Sequence, residues 1–473
     1  LRLQGLGPKK VRQLWQGLGI DNAEDLLQAC EQGQIASLPG FGQKTQATIL
    51  ASLAFQAQNK HKVHYATALP HATALLELIQ QRFATALASL AGPMRRKMET
   101  IDQVDILVGT DQSAPIAQWL NTQPQLKPAP QLSGPFAWRG TWIAPSLRLN
   151  ILFCPPKAFY QQLLLHTGAA AHLSLNVHED QSLGTLVAQL PALESEEAAY
   201  AQAHLPFIPP ELREGHAELA WARDRDAPPL LTLQDLKGVF HCHTTASDGK
   251  NTLEEMAQQC RKLGYAYLGI SDHSQSATYA GGLRVAEIYQ QHQAIDNLNQ
   301  SFTDFRVFKG IESDILADGN LDYPDEVLAL FDFVVASVHT GLQMDAPRAT
   351  DRLLKAIANP YTTMLGHPTG RLLLRRQGFP VDYKAIIDAC AAHNVIIEIN
   401  ANPWRLDLDW RWIDYALSQN VWLSINPDAH DTAGIEHVYY GVCVGRKGGL
   451  TAAQTFNALP LPEVTQYLAA RKA

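Results

Sequence analysis

From Leu236 onward the chain repeats one unit: a short apolar run, a polar loop, then an amphipathic stretch. Seven runs fit: Val239–His243, Tyr267–Ser271, Val307–Glu312, Phe333–His339, Thr363–His367, Val395–Asn400 and Val421–Asn426. Between them lie helical patterns such as Leu253–Leu263, Val285–Leu298, Ala349–Ala358 and Tyr383–His393. Short strands that are apolar on both faces and alternate with helices build parallel sheets covered by helices. Sustained over roughly 200 residues, the alternation favours a barrel, in which chemistry sits at the carboxyl ends of the strands.

Those ends carry a distinctive set of side chains. Strand one closes on His241-Cys242-His243 and runs on to Asp248, and strand two closes on Asp272-His273. The third ends at Glu312, the fourth at His339 and the fifth at His367, while the seventh leads to Asp428 and His430. Six of the 17 histidines thus share one rim with three carboxylates, Asp248, Glu312 and Asp428. Gathered together, such groups cannot satisfy one another without large charge and desolvation costs, whereas divalent cations would satisfy them. Where the chain turns away at a strand end, His241 and His243 can both converge on one ion. Imidazole and carboxylate ligation without thiolate suits Zn²⁺, Mn²⁺ or Fe²⁺.

Bound cations bring water into its nucleophilic range near neutral pH and neutralise phosphoryl oxygens and a leaving alkoxide. Phosphoester hydrolysis is therefore the expected reaction, with Glu312 and Asp428 at the catalytic centre. Amide hydrolysis or deamination on a related metal barrel is the nearest alternative. That class uses a carbamylated lysine at a strand end, and Glu312 stands at the corresponding kind of position. Arg371, with Arg375 and Arg376 behind it, offers a fork for a substrate phosphate. Gly281, Gly282 and Arg284 read as a loop over the site, and Cys242 should face the barrel wall.

The front of the chain has a different character. L-Q-G-L-G-P-K-K-V from Leu3 and L-P-G-F-G-Q-K-T-Q from Leu38 are two copies of one pattern, Gly-x-Gly followed by an amphipathic helix. This is how a helix-hairpin-helix turn reads: glycines permit the tight turn, and free N–H groups of the next helix can hold a phosphate. Gly5, Gly7, Lys9 and Lys10 in the first copy, and Gly40, Gly42 and Lys44 in the second, are the candidate DNA-backbone contacts. Residues 1–62 carry seven Lys/Arg against four Asp/Glu, in a chain whose formal net charge is −8. Nucleic-acid contact is therefore expected to be local. Between the two ends, Leu75–Leu90 reads as a helix, Val104–Val108 and Leu147–Phe153 as strands, and Asp224–Pro229 as a linker.

No apolar run approaches a membrane span. Six scattered cysteines without a Cys-x-x-Cys pair suit a reducing cytoplasm rather than a disulfide framework or a thiolate zinc finger. A monomer is expected. The pattern is already running at Leu1, which is not Met, so a segment upstream is expected to be missing.

On these motifs, Leu236 to about Gly445 resembles a PHP (polymerase and histidinol phosphatase) domain, a distorted (β/α)₇ barrel family with a trinuclear metal site. The resemblance implies that His241, His243, Glu312 and Asp428 take one metal. A second would share Glu312 and add His339 and His367, and a third would be held by Asp248, His273 and His430. The whole chain resembles the bacterial family X DNA polymerases with a C-terminal PHP domain. That implies a multidomain α/β protein with a helix-hairpin-helix region (1–60), a palm-like domain (62–154), a thumb-like domain (155–225), the barrel (236–450) and a helical tail (451–473). The segment before Leu1 would hold a first helix-hairpin-helix.

The polymerase motif departs from the family. G-P-M-R-R-K-M-E-T-I-D-Q-V-D (Gly92–Asp105) places Pro93 at the phosphate-binding serine and Gln103 at the first catalytic aspartate, leaving Asp105; Asn150 stands for the third. T-G-A-A-A-H (Thr167–His172) loses a further polar group. Two-metal nucleotidyl transfer needs several carboxylates, so polymerase activity is expected to be lost. The expected activity is metal-dependent 3′–5′ exonuclease or 3′-end processing on DNA, gripped by its backbone without sequence reading. A small-molecule phosphomonoesterase and a non-catalytic DNA-end scaffold remain as alternatives.

Overall fold

The computed structural model describes residues 6–178, 180–216, 218–223 and 229–471. Gly5 and positions 224–228 of the expected linker lie outside the described residues.

Three helices open the chain, α1 (Pro8–Leu18), α2 (Ala23–Glu31) and α3 (Gly42–Asn59), around a small core of Leu14, Leu26, Ile35 and Ile49. Gly40 and Gly42 lie at φ +81° and +68°, the left-handed backbone that the turn into α3 requires. Neither α1 nor α3 has a side chain capping its first turn.

Next comes α4 (Tyr65–Arg82) and a five-stranded sheet of β1 (Leu87–Ala91), β2 (Gln103–Gly109), β3 (Leu126–Pro128), β4 (Ala137–Trp142) and β5 (Leu147–Cys154). Their order is β1-β2-β5-β4-β3, with the central β2 and β5 parallel. The helix expected over Leu75–Leu90 is therefore two elements. Arg82 ends α4, and Leu87–Ala91 pairs antiparallel with Asp105–Gly109. Leu-Ala-Ser-Leu-Ala is helix-compatible in isolation, but here the pairing with β2 overrides its propensity. A mixed helical segment from Phe159 to Arg223 then packs around Leu164, Leu183, Tyr200 and Ile208.

The last half is a seven-stranded parallel sheet of β6 (Gly238–Cys242), β7 (Tyr267–Ile270), β8 (Arg306–Asp314), β9 (Phe333–Ser337), β10 (Met364–Leu365), β11 (Ile396–Asn400) and β12 (Leu423–Asn426), in sequential order. Helices α5 (Leu253–Lys262), α6 (Val285–Gln300), α7 (Ala346–Ile357), α8 (Tyr383–Ala392) and α9 (Val438–Lys447) accompany these strands. At the carboxyl end the His243 amide donates to the Ala429 carbonyl at 2.8 Å, joining the first strand to the segment after the seventh. Lower down, the Asn457 side chain bridges the same gap. Its amide donates to the carbonyls of Gly238 and Ile425, and its oxygen accepts from the Ile425 amide.

Aromatic rings fill the amino-terminal half of the barrel: Phe240, Tyr267, Phe308, Phe333 and Phe456, with Val464 and Leu468 of α10 (Leu461–Ala470) beneath them. Gly269 and Gly310 leave room for Phe333; a Cβ at Gly310 would sit 2.2 Å from its ring. The rim is thus the one end of the barrel left for polar groups.

A seam of buried charge joins the two halves. Glu214 accepts from Arg96 at 2.9 Å and from Lys447 of α9 at 2.6 Å; Glu211 accepts from Lys97 at 3.0 Å and from Arg446 at 2.8 Å. Burial alone would raise the Glu211 carboxyl, but Lys97 and Arg446 outweigh it and hold it at about 2, from an ordinary 4.5. A lowered folded-state value contributes stability above pH 4.5, lost as pH falls toward 2. The contribution is on the order of 3 kcal/mol. Glu211→Gln is therefore expected to lower stability at pH 7 and to flatten its dependence between pH 4.5 and 2, read by urea unfolding across that range. A wild-type profile that is level over this interval would contradict the assignment.

Candidate metal centre

His241 reaches the rim through an irregularity. Along β6, Val239 packs in the outer apolar layer and Phe240 inside the barrel. Strict alternation would turn His241 outward with Val239. The pairing with β7 instead shifts between Val239 and Cys242, and His241 takes φ +56°. One added residue reverses every side chain after it. His241 and His243 both point inward, and Cys242, fully buried, packs in the outer layer as expected. His367 and Asp428 also have positive φ, +22° and +50°. Such backbone persists where the surroundings over-determine it, often at functional sites.

Glu312 stands at the centre. Its two oxygens lie 3.1 Å from His241 Nε2, 3.6 Å from His243 Nε2, 3.0 Å from His273 Nδ1, 3.2 Å from His339 Nε2 and 2.9 Å from His367 Nε2. Asp428 Oδ1 lies 3.3 Å from His243 and 3.7 Å from His430, and Asp248 Oδ1 lies 3.6 Å from His273 and 3.4 Å from His430. All nine rim residues come together, in four groups with ligand atoms within 4.8 Å of one another. These are His243, Asp248, His273 and His430; His241, His243 and Asp428; His241, Glu312 and His367; and His273, Glu312 and His339. Relative to the partition implied by the family resemblance, His273 also faces Glu312, and His243 also faces Asp248. Glu312 is almost wholly buried, whereas Asp248 and His430 are 36% and 35% exposed in their side chains, so the site opens on that side.

The electrostatics fit a cation cluster. Buried nitrogens of His241, His243, His273 and His367, and one oxygen of Glu312, have no hydrogen-bond partner among the described residues. Burial opposes charge on His339 and His430, yet Glu312 and Asp314 around the first, and Asp248 and Asp428 around the second, hold them at about 10 and about 9. Burial and the neighbouring imidazoles push His243 down to about 4. Glu312 and Asp428 stay ionised against burial because several imidazoles face them. Divalent cations would supply the positive charge that protons otherwise provide.

Outside the nine lie groups that the sequence reading missed. Glu398, fully buried in β11, accepts from His241 Nδ1 at 2.5 Å, from the His367 amide at 2.9 Å and from the side-chain amides of Asn400 and Asn426. Asp314 holds His339 Nδ1. Carboxylates in this position fix the ring and tautomer of a ligating histidine. An acid inside the apolar run Ile-Ile-Glu-Ile was the available signal for Glu398. Asp272 is fully bonded to Thr244, Ser247 and Gln291 and braces the loop after β6.

Arg371 does not fill the role expected of it. Its guanidinium donates to Asp409 at 2.6 Å and to the carbonyls of Arg405 (2.8 Å) and Leu406, so it braces a neighbouring loop. Arg405, on that braced loop, points into the rim instead, with Nε 3.3 Å from Asp428. Arg376 is bonded to the Gly370 carbonyl, and Arg375 lies over the Trp404 ring. Arg284 pairs with Glu287 at the start of α6; from the loop before it, Tyr279 is exposed beside His273.

In the central sheet Asp105 lies opposite Asn150, whose amide donates to it at 2.9 Å, and Gln103 donates at 2.7 Å. One carboxylate thus meets two amides. Asp102 turns away to Arg148 on the surface. In the first region Lys9 is exposed on the first turn of α1 beside Gly7, while Lys10 lies against the second hairpin, 3.5 Å from Thr45 and over the Phe41 ring. Lys44 is exposed on the first turn of α3. No helix among the described residues is long and apolar enough to cross a membrane.

Comparison with known proteins agrees with this architecture. Residues 240–402 match the PHP domain family and residues 1–54 the SAM-like helix-hairpin-helix tandem family. The "DNA polymerase/3'-5' exonuclease PolX" of Bacillus subtilis is 34% identical over 484 residues, covering 99% of this chain and 84% of that protein. A "Probable phosphatase" of Caldicellulosiruptor saccharolyticus is 34% identical over 173 residues, covering 34% of this chain and 64% of its own. One from Caldicellulosiruptor bescii is 31% identical over 207 residues, covering 41% and 80%. By its similarity along nearly its whole length, this chain belongs to the bacterial family X DNA polymerases that carry a C-terminal PHP domain, a family of DNA-processing polymerases and phosphoesterases.

Proposed function

We propose that the rim is a three-cation phosphoesterase centre, loaded with Mn²⁺, Zn²⁺ or Fe²⁺, that shortens or cleans the 3′ ends of DNA, and that the nucleotidyl-transfer centre is inactive. The observation that carries this reading is Glu312, a buried carboxylate facing five imidazole nitrogens within 3.6 Å. His241, His243 and Asp428 would hold one ion with Glu312. His339 and His367 would hold a second, and Asp248, His273 and His430 a third. When bound, the ions supply water activation near neutral pH and neutralise phosphoryl charge.

The chain's own residues do the rest. Glu398 and Asp314 fix the rings of His241 and His339, and Asn400 steadies Asp428 from 3.1 Å. Arg405 offers a guanidinium at the rim to a non-bridging phosphoryl oxygen. The hairpins ahead of α1 and α3, with uncapped amides and Lys9, Lys10 and Lys44, suit DNA phosphates. The catalogue of groups around Asp105 supports loss of synthesis: two amides stand where charge is needed to hold two cations.

With Mn²⁺, 5′-labelled duplex DNA carrying a recessed 3′ end should shorten stepwise from that end, and His241→Ala combined with His243→Ala should abolish the shortening. Intact DNA after incubation with metal-loaded wild type would reject the proposal. Glu398→Gln should leave the fold in place while weakening metal retention about 10- to 100-fold, measured by competition with a chelator. Primer extension with Mg²⁺ and all four deoxynucleotides should yield no product; extension by the wild type would show that Asp105 suffices.

A further inference from the structure

A cleft of about 440 Å³ runs between α3 and the barrel loops near the rim. Lys44, Thr48 and Ser52 line one wall, and Arg348, Arg375 and Arg376 line the other. One carboxylate, Asp345, is present, and its side chain accepts from the Arg348 amide at the start of α7. Lys44, Arg348 and Arg375 are exposed, and none has an ion-pair partner among the described residues. Cations from two separate parts of a chain of net charge −8 therefore face one another with little to offset them.

The barrel wall of the cleft is built from loops that leave the strands at the metal-centre end. Arg375 lies 4.6 Å from the Trp404 ring centroid, and the Leu373 amide donates to the Trp404 carbonyl at 2.7 Å. Trp404 is 43% exposed, and its neighbour Arg405 faces Asp428. The loop that carries Arg375 and Arg376 begins at the rim residue His367, whose carbonyl accepts from the Gly370 amide. A lone phosphate needs one or two of these cations, whereas cations on both walls of one cleft suit a chain of phosphates.

We propose that this cleft carries the sugar-phosphate backbone of the DNA strand whose end lies at the rim, with Lys44, Arg348 and Arg375 each meeting a phosphate. The assignment rests on the reading of the rim as a DNA hydrolase. It separates a nucleic-acid substrate from a small phosphate ester, since the latter engages the rim and leaves the cleft empty. Backbone contacts of this kind carry no sequence information.

Binding of a 5′-fluorescein single-stranded 20-mer to the full chain, followed by anisotropy in EDTA, tests this without hydrolysis. Arg348→Ala and Arg375→Ala should each weaken binding about 3- to 10-fold, and each should reduce the slope of log Kd against log salt by about 0.7. Arg306→Ala, whose side chain lies over Phe308 at the amino end of the barrel, should change neither. Hydrolysis of bis(p-nitrophenyl) phosphate with Mn²⁺ should stay at the wild-type rate in Arg348→Ala. Unchanged affinity and slope in both arginine variants would overturn the proposal, and so would a loss confined to Lys44→Ala, which would leave DNA on the hairpins alone. If both arginine variants lose affinity while wild type leaves DNA uncut, the cleft stands and the hydrolase reading falls.

Discussion

A single carboxylate, Glu312, sets the terms for the barrel end. It is buried and ionised, and it is approached by imidazoles from β6, β7, β9 and β10. An uncompensated charge at that depth costs several kcal/mol, so the histidines must bring positive charge with them as protons or cations. The opposing shifts of His339 and His243 show that protons serve this purpose unevenly. The bulge at His241, the left-handed backbone of His367 and Asp428, and the carboxylates Glu398 and Asp314 each hold a ring or an acid where that charge is required.

Much of this was legible in the sequence because strand ends are punctuated. Each of the seven apolar runs corresponds to an observed strand, with ends displaced by a few residues. The nine rim residues follow directly from those ends. Glu398 escaped notice because it lies inside a strand, where sequence shows an acid but not the inward face that makes it a partner of His241. Arg371 and Arg405 illustrate a different obscurity. Both are loop arginines after barrel strands, and only the fold decides that one braces the loop through Asp409 while the other enters the rim. Pattern reading fails most simply at Leu87–Ala91, where an edge-strand pairing outweighs a helix-compatible composition.

The central sheet of the front half gathers three polar positions on neighbouring strands. β2 and β5 run in parallel register, and Gln103, Asp105 and Asn150 converge. Both amides donate to the one carboxylate, while the buried Asn150 side-chain oxygen has no hydrogen-bond partner among the described residues. Packing of the sheet asks only for shape and bonding capacity at these positions, whereas holding two cations would ask for formal charge.

The seam through Glu211 and Glu214 bears on what this lineage can discard. The Lys447 ammonium, fully buried on the barrel's own helix, has its carboxylate in the segment that follows the central sheet, and it also donates to the Arg96 carbonyl. Trimming the anterior region would take away the carboxylate and both carbonyls that this ammonium bonds. Gene shortening would therefore leave the barrel with a helix surface shaped for a vanished partner, whatever chemistry the anterior region performs.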